Sequence, residues 1–274
     1  TKDLTFQLYN SQFKQTFNLN FVKVDGNNVV LESVNGPMGK FNFRVLDGKK
    51  TVFAANEDLF FVFNPFSPAD ETYVSPSDTK KHGDKSVDVT EHVWNEHGAV
   101  YKGSAGSNYW VGWGMDHFDM LTLTSAMELT QPYLNVAQLS SAVLVVRHFS
   151  WVINDRLLWG SWSGQYDDGK PPTYWTSTTE ILRQWVSNHK KQVKYAQCWV
   201  FSAVGTSFSR TVGIPARSVT NFYSAHPEKP FTMKCLSHRV QQPDMSWASD
   251  PEHLDNGSVW NFHVWVDIWL HERK

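Results

Sequence analysis

The sequence predicts an α+β protein, strand-rich over residues 1–85 and helix-bearing over residues 86–274. Short apolar/polar alternations separated by turn signals fill the first sixty or so residues, a polar stretch follows at 75–85, and apolar residues recur at helical spacing beyond residue 130. With 274 residues, 41% of them hydrophobic, the chain can bury one large core or two medium ones and lacks the composition of disorder.

Asp25-Gly26-Asn27, Asn35-Gly36-Pro37 and Asp47-Gly48-Lys49 are turn signals that set off the stretches Val29-Val30-Leu31 and Phe41-Asn42-Phe43-Arg44-Val45-Leu46 from their neighbours. Short strands at this spacing predict an antiparallel sandwich or barrel. Leu59-Phe60-Phe61-Val62-Phe63 is the strongest strand, stopped by Asn64-Pro65. Ser75 to Lys85, polar with Pro and Gly, is predicted to be a loop or domain junction. Leu134, Val136, Ala137, Leu139, Ala142, Val143 and Val146 form an apolar stripe that predicts one buried helix. Ser177-Thr178-Thr179-Glu180 is a capping box opening a helix with Ile181, Leu182, Trp185 and Val186 on one face. The next helix runs from Cys198 to about Val212 and ends at Gly213-Ile214-Pro215, a glycine stop followed by proline. Arg217 to Phe222 alternates as a strand. In the last strand Trp260, Phe262, Val264, Val266, Ile268 and Leu270 share one face; Asn261, His263, Trp265, Asp267 and Trp269 share the other.

A formal net charge of −2 offers no basis for expecting nucleic acid or an anionic membrane as partner. No apolar run is long enough to span a bilayer. The N-terminal residues show no signal-peptide pattern, and a start at Thr1 rather than Met predicts a processed or trimmed chain. Cys198 and Cys235 make neither a disulfide framework nor a zinc spacing. Thirteen tryptophans predict mostly core packing, with a few indoles facing a cleft.

Cys198 at a helix start and His263 on a strand carry the chemistry. The ordinary fate of a free cysteine is to be a small buried hydrophobe. A helix N-terminus and a nearby imidazole, however, are two ways to stabilise a thiolate, and backbone N–H groups at the same helix start can hold an oxyanion. Asp267 shares the face of His263, yet four strand residues separate them by roughly 13 Å, too far to orient the ring. Asp244, Asp250 and Asp255 sit in a polar stretch and make no convincing third member.

Three motifs extend these observations: Tyr195-Ala196-Gln197-Cys198-Trp199-Val200-Phe201, then Gly213-Ile214-Pro215-Ala216-Arg217-Ser218, then Val259-Trp260-Asn261-Phe262-His263-Val264-Trp265. Together they resemble the core of the animal transglutaminases. The likeness continues upstream through Gly160-Ser161-Trp162-Ser163-Gly164-Gln165-Tyr166-Asp167-Asp168-Gly169, Trp94-Asn95-Glu96-His97-Gly98-Ala99-Val100-Tyr101-Lys102-Gly103 and Phe63-Asn64-Pro65-Phe66.

The resemblance implies an immunoglobulin-like β sandwich over 1–85, then an incomplete papain-like core over 86–274. It implies an enzyme in which Cys198 attacks a protein glutamine, ammonia leaves, and a lysine amine takes the acyl group to form an isopeptide cross-link. His263 would shuttle protons, Trp162 would help hold the oxyanion, and Trp260 with Trp162 would wall the amine tunnel. The family's orienting aspartate lies well past the histidine, so the third triad member is expected outside this chain and the chain itself is expected to be inactive or weak. Calcium is the implied cofactor, with Asn154 and Asp155 as the remaining candidate ligands, which read equally as a helix-ending turn. Implied partners are proteins bearing Gln and Lys, with no nucleic acid and no membrane span, and a homodimer is one expectation for the full-length protein. A secreted location is weakly favoured over a cytoplasmic one. A catalytically dead relative and a papain-like cysteine protease are the alternatives, the first disfavoured because both Cys198 and His263 are present.

Overall fold

A computed structural model describes residues 3–32, 36–74, 89–226, 239–241, 247–249 and 258–270. The expected junction at 75–85 lies outside these residues, as do Asp244, Asp250 and Asp255.

The N-terminal strands form one antiparallel sheet in the order β3-β2-β1-β4-β5: β1 Leu4–Asn10, β2 Gln15–Asp25, β3 Asn28–Glu32, β4 Gly39–Asp47 and β5 Lys50–Phe61. Two of its hairpins turn at Gly26 and Gly48, whose φ of +59° and +60° suit glycine. Alternation gives the sheet one apolar face. At one end Leu8 and Phe41 are buried, with Phe17 and Phe61 edge-on to the Phe41 ring, each 5.6 Å away. The rest of that face is an open groove of about 480 Å³ lined by Phe6, Leu19, Val29, Leu31, Phe43, Val45, Leu59 and Phe61. The strand expected at 59–63 is the end of β5, which begins nine residues earlier and stops at Phe61.

Beyond the sheet come α1 Val89–Trp94 and a hairpin of β6 His97–Ser104 and β7 Ser107–Gly114. Three helices follow: α2 Met120–Thr130, α3 Val136–Leu139 and α4 Ala142–Val152. The stripe expected to be a single helix over 134–146 is therefore broken. Asn135 and Gln138 close a capping box around a single short turn, and the chain restarts at Ser141, the N-cap of α4. Serine at 140 and 141 lets the backbone leave the helix while the apolar spacing continues. A π-helical turn, Ile153–Leu157, extends α4 into β8 Leu158–Gly160, which pairs in parallel with β9 Val193–Ala196. Between those strands lies α5 Thr178–Ser187, its N-cap Ser177 Oγ accepting from the Glu180 N–H as the capping signal predicts.

Helix α6, Cys198–Thr211, is the axis of the core: every residue from Ser202 to Arg210 is buried, with Val204 and Phe208 fully enclosed. It packs against a two-stranded antiparallel sheet of β10 Ala216–His226 and β13 Ser258–Ile268. β11 Arg239–Gln241 and β12 Trp247–Ser249 make a separate small pair. Gly213, φ +82°, ends α6 against the first sheet: the Phe63 N–H donates to Val212 O at 2.9 Å, and a Cβ on Gly213 would run into the Phe63 carbonyl.

The tryptophans correct one expectation. Among the described residues only Trp113, Trp175, Trp185 and Trp199 are buried, whereas Trp94, Trp110, Trp151, Trp159, Trp162 and Trp265 are exposed. Counting residues cannot distinguish an indole inside a core from one walling a cleft, because both bury one face of the ring.

Candidate active site

Cys198 is the first residue of α6, after an extended Gln197 N-cap. Its thiol is free and 7% exposed. The segment leading to it is held by side-chain bonds: Gln197 Nε2 donates to Ser161 O at 2.9 Å and to the Tyr166 hydroxyl at 3.2 Å, and the Ser161 N–H donates to Ala196 O at 3.0 Å. These contacts fix the 160–166 loop, and with it Trp162, beside the helix start. Gly160 allows the approach, since a Cβ there would lie 3.0 Å from the Trp162 ring and 3.3 Å from Phe201.

The opposite wall is β13. Ser202 Oγ lies 2.7 Å from Trp265 O and 2.9 Å from Ser218 Oγ, tying α6 to both β13 and β10. His263 stands opposite Asn221 in the β10–β13 ladder. Its ring meets Trp260 edge-on at 5.3 Å and Trp265 at 5.8 Å, and the Trp260 and Trp162 rings approach to 5.9 Å. Cys198, His263, Trp162 and Trp260 all line one cavity of about 440 Å³, floored by apolar Val146, Phe149 and Ile153. Burial pushes the Cys198 thiol up from its ordinary pKa, while the N–H groups of Val264, Trp199 and Cys198 itself and the charge of Lys102 pull it down. Burial prevails and the thiol stays above its ordinary range, opposed by two donors of the helix start and one of β13.

The Asp267 carboxylate is engaged by other groups: it accepts from Trp265 Nε1 at 3.0 Å and lies 3.8 Å from Arg217 Nη2, in agreement with the strand spacing.

Asn154 and Asp155 sit in the π-helical turn that ends the helix and leads into β8, one of the two readings the sequence allows for these residues. Asn154 lines the cavity and its backbone carbonyl accepts from Gln192 Nε2 at 2.7 Å. The Asp155 carboxylate pairs with Arg156 at 2.8 Å. A hard dication takes six to eight oxygen ligands, mostly carboxylate and carbonyl. Here one carboxylate is neutralised by a guanidinium, and no cluster of three His, Cys, Asp or Glu side chains occurs among the described residues. These two residues do not fit a calcium site.

Sequence reasoning left Lys102 without a role. Alternation along β6 puts Val100 and Lys102 on the buried face, so a lysine in an apolar register was the available signal. It is 5% exposed and its ammonium sits 4.3 Å over the Trp199 ring. Burial lowers its pKa, and the nearby Cys198 opposes that shift.

A buried helix-start thiol and a strand-borne imidazole line one aromatic-walled cavity, the arrangement that cysteine–imidazole chemistry requires. Residues 159–274 match the model of the transglutaminase-like superfamily, and that stretch belongs to it. It is 34% identical over 245 residues to protein-glutamine gamma-glutamyltransferase 4 of Mus musculus, covering 88% of this chain and 33% of the relative. To protein-glutamine gamma-glutamyltransferase K of Homo sapiens it is 32% identical over 268 residues, 91% of this chain and 30% of the relative. The chain therefore spans about a third of the length of these relatives. The fold is also that of red sea bream transglutaminase, with a TM-score of 0.71 over 97% of this chain and 43% of that one, at 24% identity.

Proposed function

We propose that the protein carrying this chain is a protein-glutamine gamma-glutamyltransferase, with Cys198 as nucleophile and His263 as proton shuttle. The observation that carries this reading is the single cavity shared by Cys198, His263, Trp162 and Trp260; the names of the relatives support it. In the reaction, Cys198 Sγ bonds to the carboxamide carbon of a glutamine side chain. Ammonia leaves with a proton from the His263 imidazolium, giving a thioester. A lysine amine then attacks the thioester carbon, His263 takes the amine proton, the C–S bond breaks, and an isopeptide bond forms. Water in place of the amine gives glutamate.

The charge that develops on the acyl oxygen falls to the Cys198 backbone N–H and the Trp162 indole N–H. Trp162 and Trp260 wall the amine's route, and excluding water there favours aminolysis over hydrolysis. Calcium dependence would need donors other than Asn154 and Asp155. The same reading takes Gln- and Lys-bearing proteins as partners, with a homodimer as the expectation for the longer protein. In the fold, it takes residues 1–85 as an immunoglobulin-like sandwich, of which β1–β5 form one sheet with an open apolar face, and residues 86–274 as a papain-like core.

The test offers a fluorescent primary amine and a glutamine-bearing protein to the full-length protein. Covalent incorporation that falls by on the order of 10³-fold or more in Cys198→Ala is expected. Peptide cleavage without incorporation would replace the reading with a protease, and an inert wild type would replace it with a structural relative.

A further inference from the structure

Lys102 is a buried cation with no carboxylate pairing it among the described residues. It lies on β6, which packs against β10 and β13, the sheet that carries His263. The Thr220 hydroxyl fastens that packing by donating to Tyr101 O at 2.8 Å. Two rings hold the ammonium: Trp199 at 4.3 Å and Tyr109, its partner across the hairpin, at 5.7 Å. Trp199 directly follows Cys198 in the first turn of α6, and its other neighbour is Phe262 of β13, at 5.9 Å.

Desolvating a lysine is costly unless an anion or a π-face offsets it. Aromatic rings offset part of that cost, and Cys198, once ionised, would offset more of it. Among the described residues, the titratable groups set about Cys198 are His263 of β13, which lines the same cavity, and Lys102 of β6.

We propose that Lys102 is a positioning residue whose ammonium, clamped over the Trp199 ring and outside the lining of the cavity, supports the thiolate form of Cys198. It touches neither substrate nor leaving group. Its charge acts through space on the sulfur while His263 handles the protons. The assignment rests on the acyl-transfer reading for its purpose, though not for its measurement.

The experiment follows the rate of Cys198 alkylation by iodoacetamide against pH, in the Cys235→Ser chain so that a single thiol reports. Lys102→Met keeps the side-chain length and removes the charge, and is expected to move the alkylation midpoint up by about one pH unit. Lys102→Arg, which retains charge and ring stacking, is expected to restore the wild-type profile. Circular dichroism checks that each variant folds; should Lys102→Met fail, Lys102→Gln takes its place against the arginine variant. An unchanged midpoint in a folded, uncharged variant overturns the proposal, as does a shift that arginine does not rescue. Amine incorporation by the full-length protein separates the two ideas. A shifted midpoint without incorporation sinks the acyl-transfer reading alone, whereas normal incorporation with an unshifted midpoint sinks the role of Lys102 alone.

Discussion

The N-terminal sheet and the α6 core use the same apolar alphabet and end with opposite degrees of closure. In the sheet, Phe6, Phe43, Val45 and Leu59 face an open groove, and Phe21, Val24 and Phe53 are more than half exposed. In the core, Val204 and Phe208 of α6 and Ile181 and Leu182 of α5 have no exposed surface. Periodicity decides which side of an element is apolar; closure depends on a second layer arriving at packing distance. Helix α6 meets such layers, with β10 and β13 along one side and α2, α4 and α5 around the rest. The described sheet meets one only near Leu8 and Phe41.

Truncation should expose this difference most strongly. Phe208→Ala is expected to destabilise the chain by about 3–5 kcal/mol, against less than about 1 kcal/mol for Phe53→Ala, read from urea unfolding. Equal losses would mean that the sheet's open face is covered in solution.

Acid should act on the core before the sheet. Burial, then the nearby Arg210 charge, lower His117 from 6.5 to about 4, and burial lowers His148 too. Between those values the unfolded chain binds a proton that the folded chain refuses. Stability is therefore complete above pH 6.5 and is lost as the pH falls towards 4, by up to about 3 kcal/mol for His117. His117→Gln should flatten the slope of stability against pH in that window; an unaltered slope would refute the assignment.

A smaller effect tests how the core grips its outer strand. Ser202→Ala removes the hydroxyl that bridges Trp265 O and Ser218 and should cost about 1–2 kcal/mol, with faster amide exchange along β13. Least of all, Asp155→Asn, which breaks an exposed pair with Arg156, should change stability by less than about 0.5 kcal/mol. Calorimetric titration with Ca²⁺ should not distinguish that variant from wild type.

Much of the site is legible in sequence because its determinants are local. The Gly213-Ile214-Pro215 stop sets where α6 ends, and counting back places Cys198 in its first turn. Two-residue alternation puts His263 and Asp267 on one face and also keeps them apart. What escapes the sequence depends on layers meeting. The charge of Lys102 hid its place on the buried face of β6, and only the packing of β6 against β10 and β13 brings it near Trp199. The β6–β7 hairpin turns at Ala105-Gly106, yet exposed Tyr109 and Trp110 blur its alternation. Asn154 and Asp155 show polar residues after a helix and nothing of Arg156 or Gln192 turning toward them.

The junction at Gly213 gives α6 a mechanical character. One end of the helix is pinned to the chain leaving the sheet, through the Phe63 N–H and Val212 O, and the other end carries the thiol, about 20 Å away for 14 residues. With Ser202 to Arg210 buried, the helix cannot bend or repack piecemeal. It works as a strut: a load applied at the sheet reaches the sulfur only as displacement of the whole rod, so moderate tension on the N-terminal strands should leave the local shape of the reacting centre intact until the strut itself is pulled free.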